Sequence, residues 1–111
     1  MLFRSAHADA ARVNVNFWIT PDEACADPTM GGMTVYDRPV PADWDFEAYN
    51  ADPQGLLRHV REVGATAVQV PYRQNRAVVF DSSLVHATQP LRFKPGYANR
   101  RINLTLLYGR R

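Results

Sequence analysis

The amino-acid sequence predicts a mainly β domain, built as a small β-sandwich or barrel of the jelly-roll type. With 111 residues the chain is long enough for one domain with a single core. Five or six short strand patterns are separated by turns rich in Gly and Pro, and only one stretch has a helical pattern. No internal repeat marks a second domain, so residues 1–111 are interpreted as a single unit.

The first strand pattern is an alternation over residues 13–20. It places apolar side chains on one face of a strand and mostly polar side chains on the other. The apolar face holds Val13, Val15, Phe17 and Ile19, and the second face holds Asn14, Asn16, Trp18 and Thr20. Two asparagines on one face are unusual unless that face contacts water or lines a site.

The remaining elements follow from the same kind of pattern. Further strands are predicted at residues 33–36, 66–70, 77–81 and 101–108. In the last of these, Arg101, Asn103 and Thr105 share one face. The stretch SSLVHATQP, which contains His86, is interpreted as a short turn.

Residues 38–64 are interpreted as an acidic, partly helical insertion. Residues 54–63 carry Leu56, Val60 and Val63 at helical spacing. Before them, Trp44 and Phe46 are predicted to anchor the insertion to the barrel, with a substrate lid as the alternative.

The composition excludes several classes of protein. The single cysteine, Cys25, cannot form an internal disulfide, which excludes a disulfide-stabilised secreted scaffold and favours a cytoplasmic location. No apolar run approaches the roughly 20 residues that span a bilayer, so no membrane association is expected. The net charge is only +2, but residues 92–111 contain six basic residues and no carboxylate. Such a stretch attracts anions.

Two histidines and one carboxylate have the composition of a metal site. His7 and Asp9 lie two residues apart, so in an extended chain both side chains point the same way. Together with His86 they would form the two-imidazole, one-carboxylate triad of non-haem Fe(II) sites, which leaves metal positions open for co-substrate and O₂. On spacing alone this remains a hypothesis, because H-x-D also arises by chance.

Arg101 is the predicted carboxylate-binding residue. A guanidinium binds a carboxylate through two parallel hydrogen bonds. Arg101 is chosen over Arg100 because it shares a strand face with Asn103 and Thr105, which could add hydrogen bonds. Tyr72 is interpreted only as part of a turn.

Several segments together resemble the C-terminal catalytic part of the 2-oxoglutarate/Fe(II)-dependent oxygenases. HADAARVNVNFWIT is similar to the family's H-x-D segment and the strand that follows it. DPTMGGMTVYD resembles the Gly-containing entry to the next strand in phytanoyl-CoA hydroxylase-like members, and NRAVVFDSSLVHATQPL resembles the stretch with the distal histidine in prolyl-hydroxylase-like members. The closing NRRINLTLLYG resembles the strand that carries the arginine for 2-oxoglutarate. The resemblance covers nearly the whole chain outside residues 38–64.

The resemblance implies a fold, a cofactor and an activity. The fold would be a double-stranded β-helix, a cupin-like jelly roll. Fe(II) would be bound by His7, Asp9 and His86, and Arg101 would bind the distal carboxylate of the co-substrate 2-oxoglutarate. The side chains expected to line the co-substrate pocket are Asn14, Asn16, Trp18, Asn103 and Thr105. The activity would be hydroxylation of a small molecule or a protein side chain.

The chain also departs from the family, and alternatives stay open. Family members carry helices and strands before the H-x-D segment, which here are absent or reduced to residues 1–6. The chain is therefore expected to be a fragment, a homodimer that covers an open sheet edge, or an inactive relative. Nucleic acid is disfavoured as substrate, because Leu107 replaces the last arginine of the R-x-N-x-T-x-R ending of the nucleic-acid demethylases.

Two other functions compete with the oxygenase interpretation. One is a β-barrel binding or interaction module without turnover, which an incomplete pocket would favour. The other is a cupin-type metal isomerase or dioxygenase that does not use 2-oxoglutarate. That class would not need Arg101 and would more often use additional histidine ligands.

Overall fold

The computed structural model describes residues 8, 11–27, 29, 31–41, 43–89 and 93–109, with only the backbone of residues 46, 49 and 98. The described part contains six strands: β1 (Val13–Trp18), β2 (Met33–Pro39), β3 (Ala67–Val70), β4 (Ala77–Asp81), β5 (Leu84–Thr88) and β6 (Asn103–Tyr108). Two α-helices, α1 (Phe46–Asn50) and α2 (Pro53–Glu62), lie between β2 and β3, and there are short 3-10 turns at Asp22–Ala24 and Tyr97–Asn99. Neither helix has the length and apolar character that crossing a bilayer requires.

The strands form two antiparallel sheets of three strands each. In the first, called the β1 sheet, β1 lies between β4 and β6. In the second, called the β2 sheet, β2 lies between β3 and β5. The prediction of a mainly β domain is confirmed. Within the described residues the sheets do not close into a barrel, so the finer jelly-roll prediction is not confirmed.

The two sheets pack against each other through an apolar cluster. Trp18 of β1 lies in one buried cluster with Met33 and Val35 of β2 and with Tyr72, which follows β3. Phe80 of β4 packs against the same cluster. This cluster is the core between the sheets, and the polar face of β1 borders the same inter-sheet space.

The outer face of the β2 sheet is covered by α2. Leu56 and Val60 of the helix are buried in a cluster with Val85 of β5 and Val40. The helical spacing of the insertion thus predicted the burial of Leu56 and Val60 correctly, whereas Val63, predicted on the same face, ends the helix and is 43% exposed. Asp52 caps the helix, since its Oδ1 accepts a hydrogen bond from the Gly55 N–H at 3.0 Å.

Trp44 does not reach the sheets as an anchor. Its ring lies 4.7 Å from the ring of His59 on α2 and is 41% exposed. Because α2 packs on the outer face of the β2 sheet, this tryptophan lies away from the space between the sheets. The side chain of Phe46 is outside the described residues, so its part of the prediction has no structural outcome.

The stretch around His86 was wrongly predicted as a turn. The turn between β4 and β5 takes only Ser82 and Ser83, because the Asp81 carboxylate accepts hydrogen bonds from the Ser83 N–H at 2.8 Å and its hydroxyl at 2.7 Å. This tight turn lets β5 begin at Leu84. His86 therefore lies in the middle of a strand, opposite Val35 of β2.

Leu56→Ala is expected to lower the free energy of unfolding by about 2–5 kcal/mol, because Leu56 is 1% exposed and its removal leaves a cavity between α2 and the β2 sheet. Chemical denaturation measures the change. Arg58→Ala on the exposed side of α2 is the control and should change the value by less than about 0.5 kcal/mol. Equal losses for both variants would contradict the assigned packing of α2.

Candidate functional site between the sheets

The polar face of β1 points into the protein. Asn14 is 1% exposed and Asn16 is 8% exposed, while Trp18 between the sheets is 1% exposed. The apolar residues of the alternation point outward, so the usual distribution of polar and apolar side chains is reversed on this strand. Burying an amide side chain costs free energy unless the amide is hydrogen-bonded. The two buried asparagines therefore indicate a polar site in the space between the sheets.

A hydrogen-bond network joins β1 to β6 across this site. Asn16 donates through Nδ2 to Asn14 Oδ1 at 2.6 Å. Asn16 Oδ1 accepts from Thr105 Oγ1 at 3.1 Å and from Asn103 Nδ2 at 3.3 Å. Asn103 Nδ2 also lies 2.9 Å from Thr105 Oγ1. The network brings together four of the predicted pocket residues and fixes the positions of their amides.

Arg101 extends this network. Its Nε donates to the carbonyl oxygen of Gly31 at 2.6 Å, and one Nη donates to Asn103 Oδ1 at 3.1 Å. The guanidinium carbon lies 5.6 Å from the ring centroids of both Trp18 and Tyr72, within the range of cation–π attraction. Arg101 therefore points inward two residues before β6 begins.

Arg100 has the opposite orientation. It is exposed, and its guanidinium carbon lies 5.5 Å from the ring of Tyr97, away from the network. The choice between the two neighbouring arginines, which the sequence pattern made through the face shared with Asn103, agrees with this geometry.

Burial lowers the pKa of the Arg101 guanidinium below its usual value, while Tyr72 and Cys25 act in the opposite direction. Arginine nevertheless keeps its proton in proteins at neutral pH. Across the residues that the structure describes, no carboxylate lies close enough to shift this pKa. The site thus holds a largely buried positive charge that a carboxylate ligand would neutralise.

Tyr72 is a site residue that the sequence interpretation missed. It is 7% exposed, its ring stacks on Trp18 at 5.3 Å, and its hydroxyl donates to the carbonyl oxygen of Thr20 at 2.5 Å. Phe93 packs edge-on against the same ring at 5.1 Å. The sequence signal that could have identified Tyr72 was an aromatic residue in an otherwise polar stretch immediately after a strand.

The Gly31–Gly32 pair shapes the entry to β2 beside Arg101. Gly31 has a φ of +84°, a conformation that favours glycine, and its carbonyl is the acceptor for Arg101. A Cβ at Gly32 would collide with the carbonyl oxygen of Val70. These glycines let the backbone approach both the guanidinium and strand β3.

His86 lies in the same inter-sheet space. It is 4% exposed, and its ring packs edge-on against Phe80 of β4 at 4.8 Å. Its Nδ1 lies 2.9 Å from the carbonyl oxygen of Leu84. A carbonyl can only accept, so this hydrogen bond requires the proton on Nδ1 and places the lone pair of the neutral ring on Nε2. That is the tautomer in which a metal-ligating histidine is commonly held.

The other two predicted metal ligands, His7 and Asp9, lie outside the described residues. Ala8 between them is described, is fully buried, and belongs to the same cluster as Val85, which precedes His86. Both the N–H and the carbonyl of Ala8 are hydrogen-bonded to the side chain of Asn50. No group of three His, Cys, Asp or Glu side chains is found among the described residues, so the complete triad stays a prediction.

Tyr72 should make stability depend on pH at the alkaline end. Burial raises the pKa of its phenol, while the charge of Arg101 acts in the opposite direction. The unfolded chain therefore loses this proton first, near pH 10, and the free energy of unfolding should fall as the pH rises above about 10. Denaturant unfolding between about pH 8 and 11 measures the fall.

Tyr72→Phe is the matched variant for this pH dependence. It keeps the ring stacked on Trp18 but removes the titrating proton, so its stability should fall less steeply than that of the wild type above pH 10. The same slope in both proteins would show that the Tyr72 phenol does not cause the effect.

Comparisons with known proteins identify no relative of this chain. Searches of protein-family models, curated proteins and solved structures found no match to the chain. The features that support a function are therefore the half-buried Arg101, the amide network around Asn16, and the orientation of His86, which all border one space between the two sheets.

Proposed function

We propose that the protein is an Fe(II)- and 2-oxoglutarate-dependent oxygenase that hydroxylates a small molecule or a protein side chain. The observation that carries the proposal is the half-buried, hydrogen-bonded guanidinium of Arg101 beside Trp18 and Tyr72, on the same side of the β1 sheet as the buried His86. A cytoplasmic setting and a small-molecule or protein substrate, with nucleic acid disfavoured, belong to the same proposal. So does a homodimer that covers an open sheet edge.

Arg101 supports the binding of a carboxylate co-substrate. Two of its five N–H donors are used by Gly31 and Asn103, and the remaining donors have no acceptor among the described residues. The rings of Trp18 and Tyr72 lie beside the half-buried charge, so an added carboxylate would interact with it more strongly than in bulk water. The distal carboxylate of 2-oxoglutarate fits this requirement.

The amide network would orient the co-substrate. Asn103 and Thr105 lie beside Arg101 and are held through Asn16, which fixes their polar atoms before any ligand binds. Such preorganisation reduces the entropy lost on binding. These residues bind and orient, and none of them is required to transfer a proton.

The residues predicted for Fe(II) are His7, Asp9 and His86. The Leu84 carbonyl holds His86 in the tautomer that offers Nε2, and one buried cluster joins Ala8 to Val85, so the described part of the set fits a metal ligand role. When bound, Fe(II) would supply O₂ activation coupled to decarboxylation of 2-oxoglutarate. The protein's own part is to hold the ligands, exclude water and position the substrate bond.

Anaerobic calorimetry of 2-oxoglutarate binding, with and without Fe(II), tests the proposal. Binding should require Fe(II) in the wild type and should be lost in His86→Ala. His59→Ala is the control, because His59 lies on α2 against Trp44 and should leave binding unchanged. No binding by the folded wild-type protein in the presence of Fe(II) would contradict the proposal.

A binding module without turnover is the second candidate. It is favoured by the hydrogen bonds of Arg101 to Gly31 and Asn103, which give the guanidinium a structural role even without a ligand. Such a module would bind 2-oxoglutarate or another carboxylate with the same affinity whether or not Fe(II) is present. The calorimetric comparison therefore separates the two candidates.

A further inference from the structure

The outer face of the β1 sheet is apolar, although it points away from the core. The antiparallel register sets Val15 beside Val79 of β4 and Leu106 of β6, and sets Phe17 beside Leu104. These five residues and Tyr108 are called the outer apolar face. Within the described strands of this sheet, Asp81 at one corner is the one charged side chain that points the same way.

The outer apolar face is unusually exposed. Val79 is 65% exposed, Tyr108 is 54% exposed and Leu104 is 49% exposed. Side chains of these sizes and exposures present apolar surface on the order of 400 Å², within the range of the largest patch that a typical monomer leaves in water. Contiguous patches of this size usually mark an interaction surface.

The β2 sheet shows how this fold covers a sheet face. Its outer face is buried by α2 through Leu56 and Val60. No residue of the β1 sheet belongs to the buried cluster that holds α2, and the cluster that this sheet shares with the β2 sheet lies on its inner face. Of the two outer faces, the more apolar one is therefore left uncovered by the described part of the chain.

We infer that a second copy of this chain covers the outer apolar face, with the two β1 sheets packed face to face about a two-fold axis. An uncharged face is compatible with its own copy, because no like charges meet at its centre. Two such faces would bury roughly 800 Å² in total, and Ile19 and Ile102, which are 43% and 47% exposed and adjoin Phe17 and Leu104, would bring the contact to the roughly 1,000 Å² expected of a specific interface. Sheets pack this way at a spacing of about 10 Å.

This interface is separate from the candidate site. The residues of β1 that meet the second copy are Val15 and Phe17, whereas Asn14, Asn16 and Trp18 point to the opposite face. The inference differs from strand pairing at a sheet edge, since it buries side chains and leaves the edge hydrogen bonds unchanged. It also does not depend on the oxygenase proposal.

Sedimentation equilibrium of the full chain over a concentration series tests the inference. The wild type should be a dimer whose dissociation constant is raised at least ten-fold by Val79→Lys, because the substitution puts a charge within the apolar interface. Val68→Lys is the matched control, since Val68 is an exposed valine, at 49%, on β3 of the other sheet. It should leave the dimer intact.

Circular dichroism checks that each variant folds. If Val79→Lys does not fold, Val79→Thr takes its place, because threonine nearly preserves the shape of valine. A wild type that stays monomeric at the highest concentration would overturn the inference and leave the face to another partner. A dimer that both valine variants weaken equally, or that neither weakens, would overturn it as well.

Discussion

Arg101→Ala is expected to weaken the binding of 2-oxoglutarate about 100-fold while leaving Fe(II) binding intact. Hydrogen bonds to charged groups contribute about 1.5–3 kcal/mol each, and a loss near 2.7 kcal/mol corresponds to a factor of about 100 in affinity. The loss is specific to the co-substrate because Arg101 is not one of the predicted metal ligands. Anaerobic calorimetry on the Fe(II)-loaded protein measures the change.

Two further arginine variants sharpen this test. Arg101→Lys keeps the charge but not the planar fork that meets both carboxylate oxygens, so its affinity should be intermediate. Arg100→Ala should bind as the wild type does, because Arg100 is exposed and stacks on Tyr97. If Arg101→Ala binds 2-oxoglutarate as tightly as the wild type does, another residue must bind the carboxylate.

Trp18→Ala is expected to lower the free energy of unfolding by about 3–5 kcal/mol. The ring is 1% exposed at the centre of the core between the sheets, so its removal leaves a large cavity. It also removes the aromatic surface on which Tyr72 stacks and above which the guanidinium of Arg101 lies. Chemical denaturation at neutral pH measures the loss.

Trp44→Ala is the matched control for this prediction. Trp44 is 41% exposed and contacts His59 on α2, so truncating it should cost far less than truncating Trp18. Because a loss of 5 kcal/mol is comparable to the whole stability of many domains, Trp18→Phe provides a variant expected to stay folded. If Trp18→Ala is no less stable than Trp44→Ala, the assigned core between the sheets is wrong.

The strand alternation at Val13–Trp18 was sufficient to predict which side chains share a face. It could not decide which face is inside, because the usual preference for buried apolar residues would have placed Asn14 and Asn16 in water. The hydrogen-bond partners of Asn16, which are Asn103 and Thr105, lie on a strand almost 90 residues later in the chain. Local pattern cannot reveal a partner at that separation.

The sequence interpretation also missed or misplaced other residues of the site. His86 was placed in a turn because two serines and a proline flank it, whereas the actual turn needs only Ser82 and Ser83. Tyr72 and Gly31 join the site only through tertiary contacts, Tyr72 with Trp18 and Arg101, and Gly31 with Arg101. By contrast, the prediction of α2 required only the local spacing of its apolar residues, and the observed helix differs from the predicted range by one residue at each end.

The most direct test of the proposed oxygenase is an anaerobic titration with Fe(II) and then 2-oxoglutarate, observed by visible absorption. We predict a charge-transfer band from the Fe(II)–2-oxoglutarate chelate in the wild type, its loss in His86→Ala, and a shift of its midpoint to higher 2-oxoglutarate concentration in Arg101→Ala. A folded wild-type protein that shows no band at saturating Fe(II) and 2-oxoglutarate would contradict the proposed function.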